Sequence, residues 1–230
     1  HYSMGGLWVD YDQMTEIPGL FAAGECDYSQ HGANRLGANS LLSAIYGGMV
    51  AGPNAVKYIK GLKKHAEDLP EEIFSRRVKE EQEKWEAILK MDGTENAYLL
   101  HKELGEWMTD NMTVVRVNSK LEETYKKLTE LQERWNNINI NDTQKWSNQG
   151  AHFTRQLKNM LYLAKVMTKG ALLRNESRGA HYKPEFPERD DENFLKTTMA
   201  KFDPATGEPI ITYQEVDVSL IPPRKRDYSK

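Results

Sequence analysis

The sequence predicts an α+β chain: a glycine-rich α/β segment, then a helical bundle, then a C-terminal segment holding a β-hairpin. Three observations carry that expectation. Residues 1–61 hold most of the glycine and little charge. Residues 62–174 are highly charged, with apolar residues recurring at helical spacing. Residues 175–230 contain two strand-like runs separated by turn residues.

Composition narrows the function classes. The 230 residues carry 31 Lys+Arg against 34 Asp+Glu, a formal net charge of -3. A protein that binds nucleic acid along its whole length carries a basic excess, so that class is set aside. A single cysteine, Cys26, excludes a disulfide framework and a cysteine-based zinc site. The mean hydropathy of -0.73 is low and fits helices with long charged outer faces. The chain opens at His1-Tyr2 with neither an initiator Met nor a signal-peptide pattern, and reads as the interior of something longer.

In the first segment, Pro18-Gly19 reads as a turn and Leu20–Ala23 as a short buried strand, ending at Gly24-Glu25. A carboxylate at a strand end commonly accepts a ribose or sugar hydroxyl. Capping a following helix is an equally good reading of Glu25. His31 to Leu41 then packs Gly, Asn, Ser, one Arg and one His just before a helix begins. Unpaired backbone N–H groups at a helix start favour anionic or polar ligands. Arg35 beside them has the planar fork that grips a carboxylate; a loop capping itself, with Arg35 on the surface, is the plain alternative.

From Leu36 to Val56 no residue is charged, which raises the question of a membrane span. Asn39, Ser40, Ser43, Pro53, Asn54 and four glycines argue instead for a buried helix of a soluble domain. Gly48-x-x-x-Gly52 suggests a close approach to a neighbouring backbone.

The charged middle divides into amphipathic helices. Leu69 to Lys90 places Ile73, Trp85, Ile88 and Leu89 at helical spacing, with Pro70 acceptable in a first turn. Asp92-Gly-Thr-Glu95 is a stop and restart before a helix carrying Leu100, Leu104, Trp107 and Met108. Ser119-x-x-Glu122 predicts a capping box opening a helix with Leu121, Tyr125, Leu128 and Trp135 on one stripe. Leu157, Met160, Leu161, Ala164 and Ala171 form the last stripe. Trp85, Trp107, Leu128, Trp135 and Leu161 are expected to face inward. In the tail, Leu195–Phe202 and Ile210–Val216 predict a hairpin across Asp203-Pro-Ala-Thr-Gly207. Arg178 and His181 are expected in a packed, hydrogen-bonded corner, and His65, His101 and His152 on the surface.

Four strings carry a resemblance: HYSMGG at residues 1–6, PGLFAAGEC at 18–26, HGANRLGANSLL at 31–42 and SRGAHYKPEFPERDDENF near the end. In this order they resemble the flavoprotein subunits of bacterial succinate dehydrogenase and fumarate reductase. L-aspartate oxidase shares the HGANR string more loosely and is the alternative within flavoenzymes. A non-catalytic helical interaction module is the alternative outside them.

The resemblance implies that residues 1–61 are the C-terminal part of an FAD-binding α/β domain with substrate-pocket residues. Residues 62–174 would then be a helical bundle domain and 175–230 an extended segment with the hairpin. It implies FAD as cofactor, with its main binding site and covalent histidine outside this chain. Substrate binding falls to His1, Arg35 and Ala38, and cofactor binding to Glu25, Ser40 and Leu41. His31 belongs to the supporting shell. The catalytic Arg is expected upstream, so the chain alone would be inactive. The implied activity is interconversion of succinate and fumarate, on the cytoplasmic face of the cell membrane as a peripheral subunit. Electrons would pass through an iron–sulfur subunit, beside a membrane cytochrome b anchor subunit, to quinone. The helices and the tail, including residues 217–230, are expected to help meet the iron–sulfur subunit.

Overall fold

The computed structural model describes residues 2–224. They form two compact units, His1–Lys90 and Met91–Lys230.

The opening of the first unit is held by single bridges rather than by a ladder. Leu7 bridges Asp27 in parallel and Met14 bridges Phe21 antiparallel. The expected strand Leu20–Ala23 is therefore corrected: only Phe21 bridges, and no regular strand forms there. Its partners are turns, and Leu20 and Ala22 bond only to Thr15, Ile17 and Gln13 along them. A 3₁₀ turn, Gly24–Cys26, follows. Gly6 faces this turn so closely that a Cβ would lie 2.3 Å from the Cys26 carbonyl oxygen.

Helix α1, Asn39–Gly61, comes next. The sequence reading made it a buried helix, and this too is corrected: only Ser43 and Gly47 are buried. Leu41 and Met49 are 76% and 70% exposed, and Leu42, Ile45 and Tyr46 are exposed with them. Among the described elements of this unit, α1 packs against the Gly24–Cys26 turn. That surface is too small to cover an apolar helix of 23 residues. The close approach lies at Gly47, where a Cβ would sit 3.2 Å from Ala23 Cβ and Gly24 N; Gly48 and Gly52 face nothing within 4 Å. No helix among the described residues is long and apolar enough to cross a membrane. Helix α2, Glu71–Leu89, starts directly after Pro70, with Glu71 and Glu72 suited to its positive N-terminal end. Ile88 and Leu89 are buried and Trp85 is half-buried.

In the second unit, α3 (Ala97–Met112), α4 (Asn118–Trp135) and α5 (Gln149–Leu173) pack as a three-helix bundle. Leu100, Leu121, Leu128, Leu131, Leu157 and Leu161 are wholly or almost wholly buried. Each such side chain contributes about 1.5–3 kcal/mol. Trp135 is buried and its indole N–H donates to the Thr154 carbonyl at 2.8 Å. Trp107 is only half-buried. Asn96 caps α3 by accepting from Tyr98 N and Leu99 N. Asn148 caps α5 by accepting from Ala151 N at 2.8 Å.

The expected capping box at Ser119 is not formed. Helix α4 begins two residues earlier than that box requires, with Val117 at the N-cap position and no side chain of its own as cap. Glu185, far along the chain, accepts from Asn118 N at 2.8 Å instead. A carboxylate there satisfies an unpaired donor and also suits the positive end of the helix.

The short helix α6 (Asp191–Phe194) leads into β1 (Lys196–Phe202) and β2 (Pro209–Glu215). The strands pair antiparallel from Lys196↔Glu215 to Phe202↔Pro209. Gly207 takes φ 71 in the turn, where a side chain is disfavoured. The hairpin is fastened to the bundle by Lys165, which reaches Glu208 at 2.6 Å, and by the Tyr125 hydroxyl, which donates to the same carboxylate. Residues 225–230, which include most of the basic end, lie outside the described residues.

Candidate functional site

Of the residues singled out from the sequence, Arg35, Ala38, Ser40 and Leu41 lie, within the first unit, at the start of α1. Ala38 is the residue before the helix and adopts φ 63, a left-handed conformation that costs an alanine about 1–2 kcal/mol. Its methyl group cannot cap, so no side chain caps the N-terminus of α1. The Asn39 N–H donates to the Leu36 carbonyl at 3.3 Å, leaving the N–H groups of Ser40 and Leu41 at an uncapped helix start. Ser40 is partly exposed and Leu41 exposed. Strain and open donors at one point suit a site that receives a polar or anionic group.

Arg35 precedes this turn. Its backbone N–H donates to the Met4 sulfur at 2.9 Å, which fixes the loop, while its guanidinium donates only to the Leu36 carbonyl at 3.2 Å. It forms no ion pair among the described residues, so the fork remains available for a carboxylate. Glu25 is exposed, and one carboxylate oxygen accepts from Ser3 N at 2.8 Å. His1 lies outside the described residues. His31 Nε2 stands 3.1 Å from the Ser43 hydroxyl, and its ring packs edge-on against Tyr2 at 4.7 Å. The sequence reading missed Met4 and Ser43, because contacts between segments this far apart leave no local signature.

The second unit holds a different cluster, at Arg178 and His181. Glu176 is fully buried and accepts from Arg174 Nη1 at 2.5 Å and from Arg178 Nε and Nη2, both at 2.9 Å. Arg178 also reaches Asp191 at 2.6 Å. His181 uses both ring nitrogens: Nε2 donates to the Arg174 carbonyl at 2.9 Å and Nδ1 accepts from Arg116 at 2.5 Å. Only the neutral ring can do both. Burial and the neighbouring cations push His181 down to about 4. Lys183, also fully buried, donates to Asn118 Oδ1, the Leu172 carbonyl and Asn175 Oδ1. Burial pushes it down to about 8. Every one of these groups is engaged with the chain itself, which makes the cluster a structural corner as expected. His65, His101 and His152 are exposed.

Comparison with known proteins places the chain in a family. Residues 101–228 match the family described as fumarate reductase flavoprotein C-term, and residues 1–41 match that described as FAD binding domain. The chain is 72% identical to the succinate dehydrogenase flavoprotein subunit of Bacillus subtilis over 100% of its own length and 39% of that protein's. It is 36% identical to the Escherichia coli fumarate reductase flavoprotein subunit, covering 38% of it. Among solved structures, E. coli quinol fumarate reductase superposes with a TM-score of 0.88 at 34% identity, over 98% of this chain and 38% of that one. The chain thus spans about two fifths of the length of the relatives it matches. With more than half of its residues inside the C-terminal family match, the chain belongs to the succinate dehydrogenase and fumarate reductase flavoprotein family.

Proposed function

We propose that residues 25–41 form the substrate and flavin edge of an FAD-dependent oxidoreductase interconverting succinate and fumarate, completed by further parts of a longer protein. The observation that carries this reading is the uncapped start of α1 beside Arg35, which has no ion-pair partner among the described residues. The residues present suit FAD: an open carboxylate at Glu25 for a ribose hydroxyl, and free backbone N–H groups at Ser40 and Leu41. When bound, the flavin supplies the acceptor for a hydride from the dicarboxylate. Arg35 grips one substrate carboxylate by two parallel hydrogen bonds, and His1 holds the other. Ala38 sets the backbone between Arg35 and the start of the helix. The N-terminal end of α1 favours the negative charge that the cofactor gains on reduction.

The electron route in this reading runs through an iron–sulfur subunit and a membrane cytochrome b anchor subunit to quinone. The flavoprotein sits peripherally on the cytoplasmic face of the membrane. Support comes from relatives whose names include a quinol-fumarate reductase with menaquinol molecules and an 8-methylmenaquinol:fumarate reductase. The test is made on the full-length flavoprotein, assayed for flavin content and for dye reduction by succinate and by aspartate. Succinate-dependent reduction by a flavin-loaded protein is expected. A flavin-free protein, or one reduced by aspartate alone, contradicts the reading.

A further inference from the structure

The Ser43 hydroxyl is one of the few buried polar groups of the first unit, and three segments meet on it. It lies 2.8 Å from the Ser40 carbonyl, 3.1 Å from His31 Nε2 and 3.4 Å from the Tyr2 hydroxyl. A serine has one hydrogen to give and two lone pairs to receive with, whereas a carbonyl only accepts. The hydrogen of Ser43 therefore goes to the Ser40 carbonyl. His31 must then donate through an Nε2–H, and Tyr2 must donate its hydroxyl proton. The three contacts use the full capacity of the hydroxyl.

Each contact reaches a segment that carries part of the site. Ser40 lies in the first turn of α1, where the open backbone donors are. His31 begins the loop that leads to Arg35, and Tyr2 is adjacent to His1. Packing reinforces the junction, since the Tyr2 and His31 rings meet edge to face at an interplanar angle of 86°. We infer that Ser43 and His31 are positioning residues, which lock the first turn of α1 in register with the two segments that hold the dicarboxylate. This inference rests on the proposed function and adds to it the device that sets the site's geometry. Without the Ser43 hydroxyl, the carbonyl of Ser40 and the Nε2–H of His31 lose their common partner. The turn then gains freedom at the point where its N–H groups must face the reduced cofactor.

The test uses the full-length flavoprotein with Ser43→Ala, His31→Leu and His31→Gln. Gln places an amide N–H at about the reach of Nε2, so it can restore the donor, whereas Leu cannot. Ser43→Ala and His31→Leu are expected to raise the KM for succinate by about tenfold. They should also weaken the preference for reduced flavin about tenfold, a midpoint shift of about -30 mV for a two-electron couple. In the flavin-free protein, both should speed amide exchange at residues 40–43. His31→Gln should recover at least half of each effect. A midpoint and KM equal to wild type in Ser43→Ala overturn the inference, as does a His31→Gln variant no better than His31→Leu. Should Ser43→Ala not fold, the two His31 variants still decide. A wild-type protein without flavin or succinate activity overturns the proposed function instead, and is read before any variant.

Discussion

Replacing Glu176 by Gln is expected to destabilise the second unit by about 3–5 kcal/mol, the usual cost of breaking a buried ion pair. The geometry explains why so small a change costs so much. Glu176 has no exposed surface. One carboxylate oxygen accepts from Arg174 Nη1 at 2.5 Å and Arg178 Nε at 2.9 Å; the other accepts from Arg178 Nη2 at 2.9 Å and Asp190 N at 3.0 Å. Gln preserves the shape but turns one oxygen into an NH₂ group. In either orientation that group faces two donors, so two hydrogen bonds are lost and their donors stay buried. Two guanidinium groups lose a full counter-charge as well, and Asp191 compensates only Arg178. The effect spreads, because Arg174 also holds the Phe194 and Lys196 carbonyls at the head of the hairpin. The control is Glu130→Gln: Glu130 pairs with Lys127 and Arg134, but its side chain is 50% exposed. Pairs of that kind contribute about 0–1 kcal/mol. Urea unfolding followed by circular dichroism measures both variants against wild type. A loss below about 1 kcal/mol for Glu176→Gln, no larger than the control, would refute the reasoning.

Three further outcomes follow from the same unit. His181 is held down to about 4 from an ordinary 6.5, so between those values the unfolded chain binds more protons than the folded one. Stability should therefore fall as pH drops through that window, and the slope should flatten in His181→Gln; equal slopes in urea titrations contradict this. Lys183, held down to about 8 from 10.5, acts with the same sign at higher pH: stability should rise as pH climbs through that range in wild type and not in Lys183→Met. Gly93→Ala should cost roughly 3 kcal/mol in the same urea assay, since its Cβ would lie 2.0 Å from the Asn137 carbonyl oxygen. A near-neutral Gly93→Ala contradicts that packing.

Local patterns made part of this fold legible. Stripes such as Leu121–Leu128–Trp135 and Leu157–Leu161–Ala164 betray buried helix faces because helical spacing stacks them on one side. The hairpin was legible for a similar reason, with Asp203 to Gly207 supplying the turn between two strand-forming runs. Contacts between distant segments were not legible. Glu185 takes over the cap that Ser119 and Glu122 were expected to form, and no spacing rule links residues so far apart. The apolar run of α1 signals burial, yet within the described residues only Ser43 and Gly47 are covered. Composition reports what a helix requires, not which segment provides it. At the candidate site, Arg35, Glu25 and Ser40 were picked out by type and by resemblance. The left-handed Ala38 and the Ser43 junction needed coordinates, because backbone conformation and the sharing of one hydroxyl are not encoded in residue type.

Arg35→Lys in the flavin-replete, full-length protein tests the central claim most directly. A single ammonium cannot reproduce the two-pronged grip of a guanidinium on a carboxylate. If Arg35 binds the dicarboxylate, the variant should keep its flavin, since Glu25 and the Ser40–Leu41 backbone are untouched. Its kcat/KM for succinate should fall by a factor of about 100 or more, the equivalent of roughly 3 kcal/mol. Steady-state kinetics on matched flavin-loaded samples give that ratio. An unchanged kcat/KM would show that Arg35 only caps its own loop through the Leu36 carbonyl, and that the substrate is held elsewhere.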